Sequence, residues 1–214
     1  MKQITQWNNR AVHLLATNRC SDAERLLYSA MSCLNQYSRT RHNDFSTNGN
    51  EKMNIKLSSV QAVRIGENDP RLDDPHNAWP VYNFAFVFSC KTEEPEAGAA
   101  LLYNLGLVHQ KRRDLEKAIK LYQLSLQILR DQQDDQEAQV DELLVMAVLY
   151  NLGHAYGQLF QTEKVSTCFR FLRQVLYDSN IDFDVDNHLD SEEHSFFLNF
   201  LLFENEQMTL APAA

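Results

Sequence analysis

The chain has 214 residues, 44% hydrophobic and 23% charged, with only 6 Gly and 5 Pro. That composition excludes a collagen-like or wholly disordered chain, and the length suits one domain whose folding hides roughly 70% of the unfolded surface. The formal charge of -9 comes from 29 acids against 20 bases, yet Asp178 to Glu206 holds nine acids and no Lys or Arg, so the remainder, with 20 of each, is neutral.

No face gathers Lys and Arg, which argues against a nucleic-acid partner. No apolar run reaches the roughly 18 residues of a membrane helix, and Met1 to Gln6 lacks the apolar stretch of a secretion signal, so no membrane partner is expected. Cys20, Cys33, Cys90 and Cys168 lie far apart with no C-x-x-C pair, and three of them fall in apolar helical patterns. Free thiols in a reducing compartment follow, and the expected location is cytoplasmic.

From the N-terminus, residues 1–35 read as a first helical pair. An insertion follows at 36–94, marked by the Ser/Thr/Asn-rich tract Ser38 to Asn54 and by Pro70, Pro75 and Pro80. Within it Ile55, Leu57, Val63 and Ile65 lean toward a strand, and Val81 to Cys90 alternates with Tyr82, Phe84, Phe86 and Phe88 on one side. These predict two strands paired as a hairpin. A lone hairpin is marginal, so its aromatic side must lie against helices.

Residues 95–177 return to helical periodicity. Leu115, Ala118, Ile119, Tyr122, Leu126 and Leu129 share one helix face, with Asp114 as N-cap. Leu143 to Phe160 and Lys164 to Tyr177 form the next pair, after the acidic linker Asp131 to Glu137. Residues 178–214 form an acidic loop and a C-terminal capping segment. The fold class is therefore mostly α, with the whole chain, 1–214, as a single domain.

Tyr103-Asn104-Leu105-Gly106 recurs as Tyr150-Asn151-Leu152-Gly153, each opening a helix-turn-helix. Leu102, Leu105, Gly106, His109, Ala118, Tyr122 and Ser125 form one repeat pattern; Leu149, Leu152, Gly153, Tyr156, Val165, Phe169 and Leu172 form another. A third copy reads Trp7, Arg10, Ala11, Leu14, Ala23, Leu27 and Ala30. These segments resemble tetratricopeptide repeats. His109, Val165, Leu172 and Arg10 depart from the family pattern, and no copy keeps the terminal Pro. The last two copies are 47 residues apart, against the roughly 34 of the family. The resemblance implies a short helical solenoid of three helix pairs, with the hairpin inserted between the first and second. Ala11, Gly106 and Gly153 would let paired helices approach closely, with Ala23, Ala30 and Ala118 on the facing surface.

Each helical residue advances about 100°, so an Asn two places before each small residue points away from the helix–helix seam. Asn9, Asn104 and Asn151 hold that slot. The resemblance implies that this is the concave groove, where such an Asn often grips a ligand main chain through its C=O and NH2 together. Asn8, Tyr103, Leu107, Gln110, Tyr150 and His154 would line the same groove. Asn9, Asn104, Asn151, Tyr103, Tyr150 and His154 are thus the candidate partner-binding residues, for a protein or peptide partner. A second reading stands beside it: the amides bond helix backbone or a neighbouring repeat, while the hairpin or C-terminal segment fills the groove. The carboxylate clamp of chaperone-binding repeats is disfavoured, because Asn8, Val12, Ala147 and Asn151 stand where its cations belong.

Asp182 to Glu193 offers an alternative function, calcium binding. Asp182, Asp184, Asp186, Asp190 and Glu193 occupy oxygen-ligand positions of an EF-hand-like loop, although Asn187 replaces the expected Gly and no partner loop exists. An acidic linker before a helix capped at Ser191 gives the same letters. Elsewhere no metal-site spacing, glycine-rich phosphate loop or nucleophile–base constellation occurs, so neither cofactor nor catalysis is expected. His13 and His109 read as packed or partly exposed residues on helical faces.

Overall fold

A computed structural model of the chain describes residues 1–44, 60–65, 81–133, 141–178 and 196–197. Among the described residues, six helices and two strands follow one another: α1 Lys2–Ala16, α2 Cys20–Asp44, β1 Val60–Arg64, β2 Phe84–Phe88, α3 Glu94–Lys111, α4 Leu115–Gln133, α5 Glu142–Gln158 and α6 Thr162–Asp178. The helices pair as α1/α2, α3/α4 and α5/α6, and α3 also packs on α2 and α5 on α4, so the pairs stack in chain order. Among the described residues, no helix is long and apolar enough to cross a membrane.

The stack follows from where the small residues fall. Ala11, Ala23, Ala30 and Ala118 are fully buried at the helix seams. A Cβ added to Gly106 would lie 2.7 Å from Tyr122 Cδ1, and one added to Gly153 would lie 2.7 Å from Phe169 Cε1. In the second and third pairs the aromatic of the second helix therefore occupies the volume that the missing side chain leaves on the first, whereas the first pair has Ala11 and Leu27 at these positions.

The turns inside the pairs repeat one geometry. Asn18, Arg113 and Phe160 each adopt a left-handed backbone, with φ of 58°, 61° and 56°. The next N–H then reaches five residues back, Arg19 to Leu14 O, Asp114 to His109 O and Gln161 to Tyr156 O, which satisfies a carbonyl orphaned at the helix end. Asp114 binds the backbone of Lys117, as a helix cap does, and also its ammonium, which lowers the carboxyl pKa. Asp141 caps α5 by accepting from Leu144 N at 2.8 Å.

Helix α2 continues through Ser38 to Asp44, into the tract expected to be irregular. That tract contains neither Gly nor Pro before Gly49, and Ser38 is held by Leu34 O and by the Glu94 carboxylate, so nothing local stops the helix.

The expected hairpin forms. β1 and β2 are antiparallel, with Val60 opposite Phe88, Ala62 opposite Phe86 and Arg64 opposite Phe84, and Ile65 N extends the ladder to Asn83 O at 2.9 Å. Ile55 and Leu57 lie outside the described residues. The hairpin is laid into the solenoid: β2 packs on α1 and α3, and Tyr82, Phe84, Ala85, Phe86 and Phe88 are all buried.

Candidate functional site

The burial of α3 and α5 is nearly complete, from Ala97 to Gln110 and from Leu144 to Tyr156. One face of each meets its pair mate and a second meets the neighbouring pair. A third faces the groove, and it is there that the asparagines project.

Each of the three asparagines engages both backbone polar groups of one residue in the chain's own extended segment. Asn151 Oδ1 accepts from Tyr82 N and its Nδ2 donates to Tyr82 O, both at 3.1 Å. Asn104 Oδ1 accepts from Phe86 N at 2.9 Å and Nδ2 donates to Phe86 O at 2.8 Å. Asn9 Oδ1 accepts from Phe88 N and Nδ2 donates to Phe88 O, both at 3.2 Å. A carboxamide presents a donor and an acceptor side by side, as a neighbouring strand would, so the row of amides replaces a third strand along this edge of β2.

Alternation explains why the edge is available. Residues 83, 85 and 87 turn their backbone groups to β1, leaving those of 82, 84, 86 and 88 on the opposite side. The fourth of these, Phe84, is met by Tyr103, whose hydroxyl donates to Phe84 O at 3.0 Å and accepts from Asn151 Nδ2 at 2.9 Å. Burial pushes the Tyr103 phenol pKa well above its ordinary value, so it stays a neutral donor. Asn8 completes the row: its Nδ2 donates to Phe86 O at 2.8 Å and to Asn9 Oδ1 at 3.2 Å, while its Oδ1 accepts from Asn104 Nδ2 at 2.9 Å. Both amide hydrogens of Asn8, Asn104 and Asn151 are therefore used, in a setting where an unused one would be costly.

Aromatic contacts fix the side chains of the segment. Phe86 meets Tyr103 edge-on at 5.1 Å, and Tyr82 lies 4.7 Å from Phe84 in a stacked arrangement. At the third pair Tyr150 packs edge-on against Phe196 at 4.9 Å, and Tyr82 lies 4.8 Å from Phe197, which is fully buried. His154 sits one helical turn beyond Asn151. Its Nδ1 is 3.2 Å from Gln110 Nε2, and Gln110 Oε1 accepts from the Tyr122 hydroxyl at 2.6 Å.

Four of the six candidates meet on the extended segment. Asn9, Asn104, Asn151 and Tyr103 touch the backbone of the extended segment, Tyr150 reaches its Tyr82 end through Phe196 and Phe197, and His154 bonds Gln110. The roles of Asn8, Phe196 and Phe197 were not legible in the sequence. Asn8 reads as a groove-lining neighbour of Asn9 with no bonding partner assigned, and the C-terminal segment reads as a cap or a groove filler with no contact of Phe196 or Phe197 assigned.

In the basic turn Lys111-Arg112-Arg113 the Arg112 guanidinium pairs with Glu24 of the first helix pair. His109 is buried beside it, with Nε2 at 3.5 Å from Glu24 and Nδ1 at 3.4 Å from Asp114, whereas His13 is exposed. The thiols of Cys20, Cys33, Cys90 and Cys168 are all free. Among the described residues, no group of three or more His, Cys, Asp or Glu is placed to hold a metal ion. Asp182, Asp184, Asp186, Asp190 and Glu193 lie outside the described residues.

The model of the tetratricopeptide repeat family matches residues 99–138, the span of α3 and α4. The chain is a tetratricopeptide-repeat-like protein. Its three stacked helix pairs and recurring turns carry the same architecture beyond the matched span, and repeats of this family act as protein-interaction modules. No curated protein and no solved structure matches the chain.

Proposed function

We propose that this tetratricopeptide-repeat-like protein binds an extended segment of a partner protein in its groove. Asn9, Asn104 and Asn151 would grip the segment's main chain, and Tyr103, Tyr150 and His154 would shape the surrounding surface. One observation carries the reading: three carboxamides, one from each helix pair, are each set to take both the N–H and the C=O of one residue of an extended chain. Such pairing reads main chain and not side chain, which is the chemistry that strand recognition uses. The groove walls add neutral aromatic and amide surface, so the reading predicts binding that changes little with salt.

The test is selection of peptides from a random displayed library against the full chain, followed by measurement of the winners on Asn9→Ala. Asn9 is the half-exposed member of the row; its loss frees one amide hydrogen of Asn8 and leaves the bonds of Asn8, Asn104 and Asn151 to the segment in place. Binders that weaken by about ten-fold on Asn9→Ala, with an unchanged circular dichroism spectrum, support the reading; a loss of one hydrogen-bonded pair corresponds to about that factor. Binders indifferent to Asn9 and selected equally by an unrelated helical protein refute it.

A further inference from the structure

β2 lies in a slot that is hydrogen-bonding on both sides: β1 forms one wall and the amide row the other. We infer that this slot takes a partner strand with large aromatic residues at alternating positions, which enters by displacing the chain's own segment 81–88. The inference rests on the proposed groove-binding function and specifies the partner's chemistry.

The resident segment displays what the slot selects. Tyr82, Phe84, Phe86 and Phe88 alternate, and the three asparagines hold positions one, five and seven of that series by main chain alone. A partner must therefore offer a free N–H at those three positions, which excludes Pro there. Its N-terminal end must lie at the third helix pair, against Tyr150, Phe196 and Phe197, and its C-terminal end at the first, beside Asn9. The aromatic rings at its first and fifth positions would take the places of Tyr82 and of Phe86, the latter edge-on to Tyr103. A one-residue slip would exchange the two edges of the strand and turn every ring to the opposite face, so both walls enforce the same register.

The resident segment also sets the apparent affinity. Tethered through Ser89 to Glu93 to the start of α3, it competes at an effective concentration of about 1 mM. With an intrinsic Kd of about 10 μM for the resident segment itself, any partner would appear about a hundred-fold weaker until the resident strand is loosened.

The probe is a fluorescent peptide of residues 80–89 with two added lysines, titrated into the full chain. Binding is expected to be at least ten-fold tighter on Phe86→Asp, which weakens the resident strand and leaves the amide row intact. On that variant, N-methylation of the peptide at the Phe86 position should weaken binding at least ten-fold. Placing its four aromatic residues side by side, at constant composition, should do the same, since no sliding of that peptide restores the alternation. If the rearranged peptide binds as well as the original while the N-methylated one does not, the main-chain grip stands and the alternating-aromatic partner is overturned. If N-methylation has no effect, the groove-binding function itself fails.

Hydrogen exchange on the unaltered chain keeps the displacement testable if Phe86→Asp does not fold. The amides of Tyr82, Phe86 and Phe88 are expected to exchange through an opening at least a hundred-fold more frequent than that exposing Leu105 and Leu152. Exchange in step with those helical amides would overturn displacement.

Discussion

Removing the central amide provides a quantitative test of the row. In Asn104→Ala the buried N–H of Phe86 loses its acceptor and Asn8 Oδ1 loses its donor, whereas Phe86 O keeps the bond from Asn8. Two buried polar groups orphaned at about 1–3 kcal/mol each give a loss of about 2–6 kcal/mol. The lower figure applies if water enters the vacated volume. In Asn9→Ala the three lost bonds, two to Phe88 and one from Asn8 Nδ2, are longer, at 3.2 Å, and partly exposed, so solvent replaces them and the loss is about 1 kcal/mol. Urea unfolding followed by far-ultraviolet circular dichroism and by the fluorescence of half-buried Trp7 measures both. A loss for Asn104→Ala within about 0.5 kcal/mol of that for Asn9→Ala, the spread of ordinary surface substitutions, would refute the argument that the buried amides hold the strand.

Other expectations follow from single contacts. Gly106→Ala forces a methyl group into the Tyr122 ring, whose hydroxyl is tied to Gln110, and should cost about 1–3 kcal/mol by overpacking. Gly98→Ala meets only Leu34 and Ile128 methyls at 3.5 and 3.7 Å and should stabilise α3 by up to about 1 kcal/mol; thermal unfolding distinguishes the two. Phe160 holds a left-handed backbone while 91% exposed, so Phe160→Gly should raise stability by about 0.5–1 kcal/mol in the same assay. Lys117 lowers the Asp114 carboxyl pKa, so the pair's contribution is present above the ordinary carboxylate range and is lost as pH falls through the lowered folded value. Asp114→Asn should accordingly flatten the stability profile below about pH 4. Burial pushes the Cys168 thiol up to about 11, and Cys90 is exposed. Mass-resolved alkylation at pH 8 should modify Cys90 first and Cys168 last.

Much of this architecture was legible because its signals are local. The recurrence of Tyr-Asn-Leu-Gly and the small residues at the seams announce helix pairs. The alternation from Val81 to Cys90 announces a strand, and the position of each Asn two residues before a small residue sets its direction. That the hairpin could fill the groove was legible as the second of two readings, and β2 does fill it; the pairing of Asn9 with Phe88 and Asn151 with Tyr82 was not, since it depends on where the insertion folds back. No periodicity encodes that placement. The reach of α2 to Asp44 escaped for a simpler reason: Ser, Thr and Asn are weak helix breakers, and a favourable neighbour such as Glu94 outweighs them.

The inserted strand alters how the array holds together. In an ordinary solenoid each unit touches only its neighbours and the ends can fray independently. Here a single ribbon fastens the first unit through Phe86 and Phe88 and the last through Tyr82, so loosening either end exposes what the other is tied to. Unfolding should then proceed in one step where unfastened arrays melt piecemeal. During synthesis α1 must also wait, its two amides bare, until residue 88 leaves the ribosome.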